Sequence, residues 1–305
     1  MNLDPNILAA PTAVPLLTAA IMLAVSRWGR ERSLPLQQWL TGIALSINLL
    51  VALLILAHTL QGERLVLQEA AWPAPYGITI IADSLSGIML VVSAVLALCI
   101  FPYAISTLDF HRARLGFYPL LLFLVMGVNG AFLSGDLFNL YVFIEVLLMA
   151  SFVLMTLGGT PSQINGGIRY VILNLLASLL LLSAAGVAYG SLGTINFAQM
   201  AQRLDIAPDS IRWLLAGLMF VAFGSKAAVF PLFFWLPASY HTPHPVVTAL
   251  FGGLLTKVGV YTLFRLFPLL FPDLLFTWRT ALFVIAGLTM TVGVLGAFAQ
   301  PTIRR

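Results

Sequence analysis

Long apolar runs dominate this sequence and restrict it to a membrane protein. Of its 305 residues, 60% are hydrophobic and only 9% are charged. A bilayer requires about 20 apolar residues for each helix that crosses it. Nine stretches reach that length, at residues 7–25, 36–60, 84–105, 115–134, 137–157, 167–190, 212–236, 246–268 and 276–299. The sequence therefore predicts an all-α polytopic membrane protein with about nine transmembrane helices.

The seventh span contains a proline that should break its helix. Pro231 has no N–H to donate, and its ring clashes with the carbonyl four residues earlier, at Ala227. We predict that the helix breaks just after Lys226 and leaves free carbonyls beside this charge. Broken helices with charges at the bilayer midplane are typical of transporters.

Three ionisable side chains, Glu145, Lys226 and Lys257, lie near the middle of predicted spans. A charge at the bilayer centre costs roughly 2.5–3.5 kcal/mol on insertion scales, so such residues are usually functional. A carboxylate about 4 Å from an ammonium gains roughly 4 kcal/mol at an effective dielectric constant of 20. We predict that Glu145 and Lys226 form a buried pair whose pairing and unpairing switches a proton without a cofactor.

Other polar residues have weaker claims to a function. Asp136 precedes the fifth span and is expected to cap its helix. His241 and His244 lie in the turn between the two lysine-bearing spans, as ordinary loop residues or as a proton relay. Two histidines without a nearby acid or cysteine make a poor metal site, so we expect no metal. Cys99, the sole cysteine, should be a small buried hydrophobe.

The basic residues of the loops predict the orientation in the membrane. One side receives eight arginines, at positions 27, 30, 32, 112, 114, 169, 304 and 305, whereas the other receives five, at positions 64, 203, 212, 265 and 279. Because cytoplasmic loops carry the excess of positive charge, the N-terminus should lie outside and the C-terminus of this chain inside. No Arg- and Ser-rich transit segment is present, which favours a prokaryotic plasma membrane.

Two long external loops should carry secondary structure of their own. Residues 61–82 contain β-branched residues on both sides of a Trp-Pro-Ala-Pro turn and predict a short interfacial hairpin. In residues 191–211, Phe197, Met200 and Leu204 fall on one helical face after a candidate N-cap at Thr194. This second loop predicts an amphipathic surface helix.

Three stretches resemble a known family. DLFNLYVFIEVLLMASFVL (136–154), FGSKAAVFPLFFWLPASYHTPHPVVTALFGGLLTKVGVYTLFR (223–265) and VLGAFAQPTIRR (294–305) are similar to the antiporter-like membrane subunits. These subunits occur in multisubunit Na+/H+ (Mrp-type) antiporters and in respiratory complex I. The pattern WLPASYHTP followed by ALFGGLLTKVGVY is most similar to the D-type subunits of the Mrp-type antiporters.

The resemblance implies a fold of two inverted repeats of five helices, each with a half-channel. Glu145 matches the glutamate of the fifth helix, Lys226 the lysine of the broken seventh helix, and Lys257 the central relay lysine of the eighth. His244 departs from the family, which usually has a proline or small residue there. Residues 115–305 then form the proton-conducting domain and residues 1–114 the preceding helices with the hairpin. The second half-channel is missing, so we expect a C-terminally truncated chain.

The leading hypothesis is a membrane subunit of a multisubunit monovalent cation (Na+)/proton antiporter. The alternative within transport is a proton-translocating subunit of complex I or a related membrane-bound oxidoreductase. A membrane enzyme is disfavoured because no catalytic constellation or cofactor motif is present. A purely structural subunit would not need three charges at the midplane. Expected partners are the other subunits, the lipid bilayer, protons, and Na+ or another monovalent cation. Nucleic acid is excluded because the basic residues are spread over short loops.

Overall fold

A computed structural model describes residues 3–26 and 33–300 of the chain. The helices are, in chain order, α1 (Ala10–Ser26), α2 (Ser33–Thr59), α3 (Ser84–Thr107), α4 (Phe110–Arg114), α5 (Phe117–Leu133), α6 (Leu137–Thr156), α7 (Pro161–Leu192), α8 (Phe197–Leu204), α9 (Asp209–Ala227), α10 (Trp235–Ser239), α11 (Pro245–Leu250), α12 (Thr256–Leu270) and α13 (Pro272–Phe298). A 3-10 turn, Pro5–Ala9, leads into α1, and a π-helical turn, Phe251–Leu255, joins α11 to α12.

The predicted all-α membrane architecture is confirmed. Among the described residues, seven helical stretches are long and apolar enough to cross a bilayer, and α5 is a shorter apolar helix. The broken span, formed by α9 and α10, brings the number in this part of the chain to the predicted nine. The sixth span begins earlier than expected, because Thr160 caps α7 and Pro161 occupies its first turn.

The most enclosed helix is α5, whose side chains are nearly all buried. It packs against α1, α2, α3 and α6, and it also contacts α12. The second half of the bundle is built on α7, which packs against α6, α9 and α10, while α12 packs against α9. The broken helix α9 is thus held between α7 and α12.

Four helices meet at a buried polar cluster within the first half. Pro15 cannot donate the backbone hydrogen bond that the carbonyl of Pro11 would receive in a regular helix. The Asn129 side-chain amide replaces that donor at 3.0 Å and also reaches Asn48 Oδ1 at 3.2 Å, while Ser93 donates to Asn129 Oδ1 at 3.2 Å. The cluster therefore satisfies a freed carbonyl and ties α1, α2, α3 and α5 together.

The predicted hairpin is confirmed, and it lies at one end of the bundle. Strand β1 (Leu65–Gln68) pairs antiparallel with β2 (Thr79–Ala82), with Leu65 opposite Ala82. Backbone bridges then join Ile80 to Ser134 and Asp136 to Asn196. The hairpin, the α5–α6 connection and the α7–α8 connection, which the sequence predicts on the same side of the membrane, are therefore in contact. At the opposite end, Arg112 donates to the carbonyl of Leu157 at 3.3 Å.

Two local predictions are wrong. The N-cap of α8 is Asn196, which accepts from the N–H groups of Ala198 and Gln199, whereas the Thr194 hydroxyl donates to Gln199 Oε1. Cys99 is exposed on α3 instead of buried. The sequence could not predict this, because a uniformly apolar run does not indicate which helical face meets lipid and which meets the protein interior.

Asp136 caps α6 as predicted, accepting from Asn139 N–H at 2.6 Å. Of the arginines used to predict the orientation in the membrane, those at positions 27, 30, 32, 304 and 305 lie outside the described residues.

An ion pair fastens the hairpin end of the bundle. Arg265, at the end of α12, donates to both carboxylate oxygens of Asp83, at 3.0 and 2.9 Å. Asp83 also caps α3 by accepting from Ser86 N–H at 3.0 Å. Partial burial acts to raise the pKa of the Asp83 carboxyl, but the Ser86 hydrogen bond and the Arg265 charge together outweigh burial and lower it.

We expect Asp83→Asn to make the melting temperature of the protein less sensitive to acid. Because the folded-state pKa lies below the unfolded value of about 3.9, the unfolded chain takes up this proton first. This contribution to stability is therefore lost as the pH falls below about 4. Asparagine keeps the cap but loses the charge, at a cost of about 1 kcal/mol at neutral pH. Thermal melting against pH measures the effect, and Asp209→Asn, at a carboxylate 84% exposed, is the control.

Candidate functional site

The predicted break of the seventh span occurs at the expected residue. Helix α9 ends at Ala227, and Ala228 adopts the left-handed conformation with φ of 56°. Two of the carbonyls in the last turn of α9, those of Gly224 and Ser225, are not free, which corrects the prediction for these two. Gly224 O accepts from Val229 N–H at 3.1 Å, and Ser225 O accepts from the Trp235 indole at 2.9 Å. The chain satisfies these acceptors itself because no water reaches them in hydrocarbon.

Lys226 is enclosed just before this break. Its side chain is 6% exposed, and its ammonium donates to the hydroxyl of Ser178 on α7 at 3.0 Å. Tyr170, Asn174 and Trp235 line the same region. A buried ammonium therefore has a neutral hydroxyl as its direct partner.

Glu145 lies near Lys226 without forming the predicted direct pair. No oxygen of Glu145 is within the 4.0 Å limit of an ion pair with Lys226, although the two charges interact through space. One carboxylate oxygen of Glu145 is buried and has no hydrogen-bond partner in the part of the chain described. Ser178 occupies the position next to the ammonium that the prediction gave to the carboxylate.

Lys257 lies midway along the α11–α12 span, as predicted, but its side chain faces the outside of the described bundle. Its ammonium donates to the carbonyl of Gly252 at 2.5 Å and lies 3.5 Å from the Thr256 hydroxyl. Gly252 belongs to the π-helical turn, and Thr256 is the first residue after it. Such turns are frequent at functional sites.

Helix α12 touches the end of α9 at a glycine. A Cβ atom on Gly259 would lie 2.4 Å from the backbone nitrogen of Ala227, so no larger residue fits without movement. A cavity of about 20 Å³ lies beside this contact, between Lys226 and Leu255, Val258 and Gly259 of the facing helix. This volume holds about one water molecule. The backbone at Lys226 and the helix of Lys257 are therefore adjacent.

The two histidines follow the break in the chain, whereas Lys226 precedes it. His241 Nδ1 lies 2.9 Å from the carbonyl of Pro237, and His244 caps α11 with Nδ1 3.4 Å from Val246 N–H. The structure brings neither into direct contact with Lys226. Among residues 3–26 and 33–300, no cluster of three His, Cys, Asp or Glu side chains could hold a metal ion.

The neutral residues around the lysine were not predicted from the sequence. Ser178, Asn174 and Tyr170 come from α7, a span without a central charge, so nothing marked it as part of the site. Tyr170 hydrogen-bonds the Ser151 hydroxyl at 2.9 Å. The spacing of Tyr170, Asn174 and Ser178, four residues apart, places all three on one helical face and was the available signal.

We expect Gly259→Ala to destabilise the protein by about 1–3 kcal/mol, the usual range for overpacking, because its Cβ meets backbone and not a flexible side chain. Thermal melting of the purified protein measures this loss. Gly217→Ala in α9 is the matched control, since a Cβ there meets nothing within 4 Å. Equal melting temperatures for the two variants would contradict the close contact.

The sequence is similar to the members of one known family. The sequence profile described as "NADH:quinone oxidoreductase/Mrp antiporter, TM" matches residues 134–305. The D-type subunit of the Na(+)/H(+) antiporter of Alkalihalophilus pseudofirmus is 38% identical over 302 residues, which cover 98% of this chain and 60% of that protein. This chain thus spans about three fifths of the relative's length.

Solved structures agree with the sequence match. A chain of the Mrp complex from a Dietzia species is 33% identical, with a TM-score of 0.87 over 97% of this chain and 54% of that one. The archaeal membrane-bound sulfane sulfur reductase, a respiratory membrane complex, shares the fold at 22% identity, with a TM-score of 0.89 over 99% of this chain and 61% of that one. The chain belongs to the NADH:quinone oxidoreductase/Mrp antiporter transmembrane family.

Proposed function

We propose that this chain forms the proton-conducting part of a subunit of a multisubunit monovalent cation/proton antiporter, with Na+ as the exchanged cation. Glu145, Lys226 and Lys257 carry the proton, and residues 115–305 form the conducting domain. The observation that carries the proposal is the enclosed ammonium of Lys226, whose direct partner is the hydroxyl of Ser178.

A proton relay accounts for this arrangement better than a structural role. A buried charge without a paired counter-charge is costly, and packing alone would be served by an apolar side chain. Lysine can release its proton when buried, whereas arginine cannot. Because opposite charges attract, a Glu145 carboxylate close to the Lys226 ammonium would stabilise the charged form of the lysine. Movement of either side chain would therefore change how readily Lys226 holds its proton.

The next step of the relay runs from Lys226 towards Lys257. The cavity beside Gly259 has room for about one water, which could carry a proton to the helix that bears Lys257. Because the Lys257 side chain is exposed on the described bundle, it serves as the outlet of this path. His241 and His244, on the far side of the break, act as proton relays at its cytoplasmic mouth.

The antiporter assignment is preferred to the complex I alternative because of the named relatives. The family profile includes both classes of complex. The relative of 38% identity is named an antiporter subunit, and the structure of 33% identity is an Mrp complex. We therefore propose a transporter subunit and not an enzyme, with the other subunits of such a complex as its partners.

Variants of the three ionisable residues should lose transport while the complex still assembles. In the full-length protein within its complex, we expect Glu145→Gln, Lys226→Ala and Lys257→Ala to lower cation-dependent proton flux by at least about tenfold, because proton transfer needs titratable groups. Lys226→Arg should be equally inactive, since arginine keeps the charge but cannot release a proton. Flux is measured with a pH-sensitive dye in vesicles.

The matched control is Arg279→Gln, which removes a positive charge from the exposed side of α13. It should keep wild-type flux. Assembly is monitored by co-purification of the other subunits. Wild-type flux in Lys226→Arg would mean that the residue supplies only a fixed charge, and the relay would then be wrong.

We also propose a prokaryotic plasma membrane location in which the hairpin faces outside and the loop before α5 faces the cytoplasm. The basis is the arginine distribution. Cysteines are introduced at Gly62 and Thr107 in a Cys99→Ala background and exposed to an impermeant thiol reagent in intact cells. The cysteine at position 62 should react from outside and that at 107 only after permeabilisation. The reverse labelling pattern would invert the topology.

A further inference from the structure

Two cavities lie along one face of α7. On the side away from α7, each is lined by residues of the segment 231–242. The first, of about 350 Å³, is polar and is lined by Ser162, Asn165 and Arg169 of α7, by His241 and Thr242, and by Gln300. The second, of about 360 Å³, is apolar and is lined by Leu173, Leu176 and Leu180 of α7 and by Leu232, Phe234 and Trp235. Residues 231–242 close both cavities.

The polar cavity has the chemistry of an anion site. Arg169 has no hydrogen-bond or ion-pair partner among the residues that the structure describes. The Nδ1 atom of His241 is engaged by the carbonyl of Pro237, which leaves Nε2 available to a ligand. Asn165 and Ser162 add neutral polar groups, and no carboxylate lines the cavity. A cation would find no counter-charge here, whereas an anion would find a guanidinium.

The two cavities have no lining residue in common, but they lie next to each other along α7, and we call them together the slot, with a polar end and an apolar end. Residues 169, 173, 176 and 180 of α7 follow each other at intervals of three or four, which places them on one helical face. The apolar cavity therefore begins about one helical turn from the guanidinium of Arg169 and continues along the helix. A ligand that fills both cavities needs an anionic head and an apolar chain.

The length of α7 sets the depth of this slot. Its 32 residues extend about 48 Å at 1.5 Å per residue, whereas the hydrocarbon layer is about 30 Å thick. Four of the nine residues of α7 before Tyr170 are polar or charged, whereas the stretch after it is mainly apolar and is interrupted by Asn174 and Ser178. Arg169 is thus positioned at the level of lipid head groups, with Leu173, Leu176 and Leu180 inside the hydrocarbon.

We propose that the slot between α7 and residues 231–242 binds an anionic phospholipid. The phosphate lies at Arg169, and one acyl chain lies between Leu176 and Phe234. Basic pockets between transmembrane helices are known to take anionic head groups. An inorganic phosphate ion would occupy the polar cavity alone. This inference does not depend on the proton relay, although the bound lipid would rest on the segment that follows the break at Lys226.

Native mass spectrometry of the full-length protein in its complex tests the proposal. Phosphatidylglycerol and phosphatidylcholine with identical acyl chains are added separately at matched concentration. We expect the wild type to retain phosphatidylglycerol preferentially and Arg169→Gln to lower that retention about fivefold or more. The control is Arg114→Gln, an exposed arginine whose guanidinium lies over the Phe110 ring, and it should retain the lipid as the wild type does.

Further variants and competitors distinguish the possible ligands. Leu176→Trp fills the apolar cavity without changing charge, so it should lower retention of phosphatidylglycerol and also tests the slot should Arg169→Gln not assemble. Excess inorganic phosphate should fail to displace the lipid. Displacement by phosphate together with normal retention in Leu176→Trp would identify a free-anion site and overturn the proposal. Equal losses in Arg169→Gln and Arg114→Gln would also overturn it, because they would indicate attraction to surface charge alone.

Discussion

A backbone carbonyl that loses its helical donor inside hydrocarbon must find another donor, and this requirement shapes both irregular regions of the bundle. The carbonyl of Pro11 is released by Pro15 and receives the Asn129 amide. The carbonyl of Ser225, at the end of α9, receives the Trp235 indole. In each case the replacement donor comes from outside the helix that lost one. Satisfying the backbone thus also determines which segments are held together.

The same requirement explains how one charge can be held beside a break. The carbonyls of Gly224 and Ser225 are used by the chain itself, so they do not compensate the Lys226 ammonium. The hydroxyl of Ser178 is its direct contact, and Glu145 acts from farther away. The left-handed backbone at Ala228 then turns the chain away while Gly259 brings α12 against it. The backbone at Lys226 is thereby brought into contact with the helix that carries Lys257.

The sequence was sufficient for features that depend on composition and local chemistry. Span lengths follow from apolar runs, the break follows from Pro231, and the hairpin follows from β-branched residues around a proline-rich turn. Features that depend on which face each helix turns towards its neighbours could not be predicted from composition and local chemistry. The outward direction of Lys257, the partnership of Lys226 with Ser178 and the exposure of Cys99 each depend on which face of an almost uniformly apolar helix meets its neighbour. The cap at Asn196 was missed because two polar residues only two positions apart, Thr194 and Asn196, could both have served.

The π-helical turn at Phe251–Leu255 has a consequence for how this helix can vary. A π turn accommodates one residue more than an α turn, so every side chain after it is rotated by about 100° relative to an uninterrupted helix. Gly259, which follows this turn, is the residue that meets Ala227. A single-residue deletion within the turn would give a more regular helix, yet it would direct a different side chain at α9. Whether an insertion or deletion is tolerated here therefore depends on which side chains it turns towards α9, and not on hydrophobicity or helix propensity.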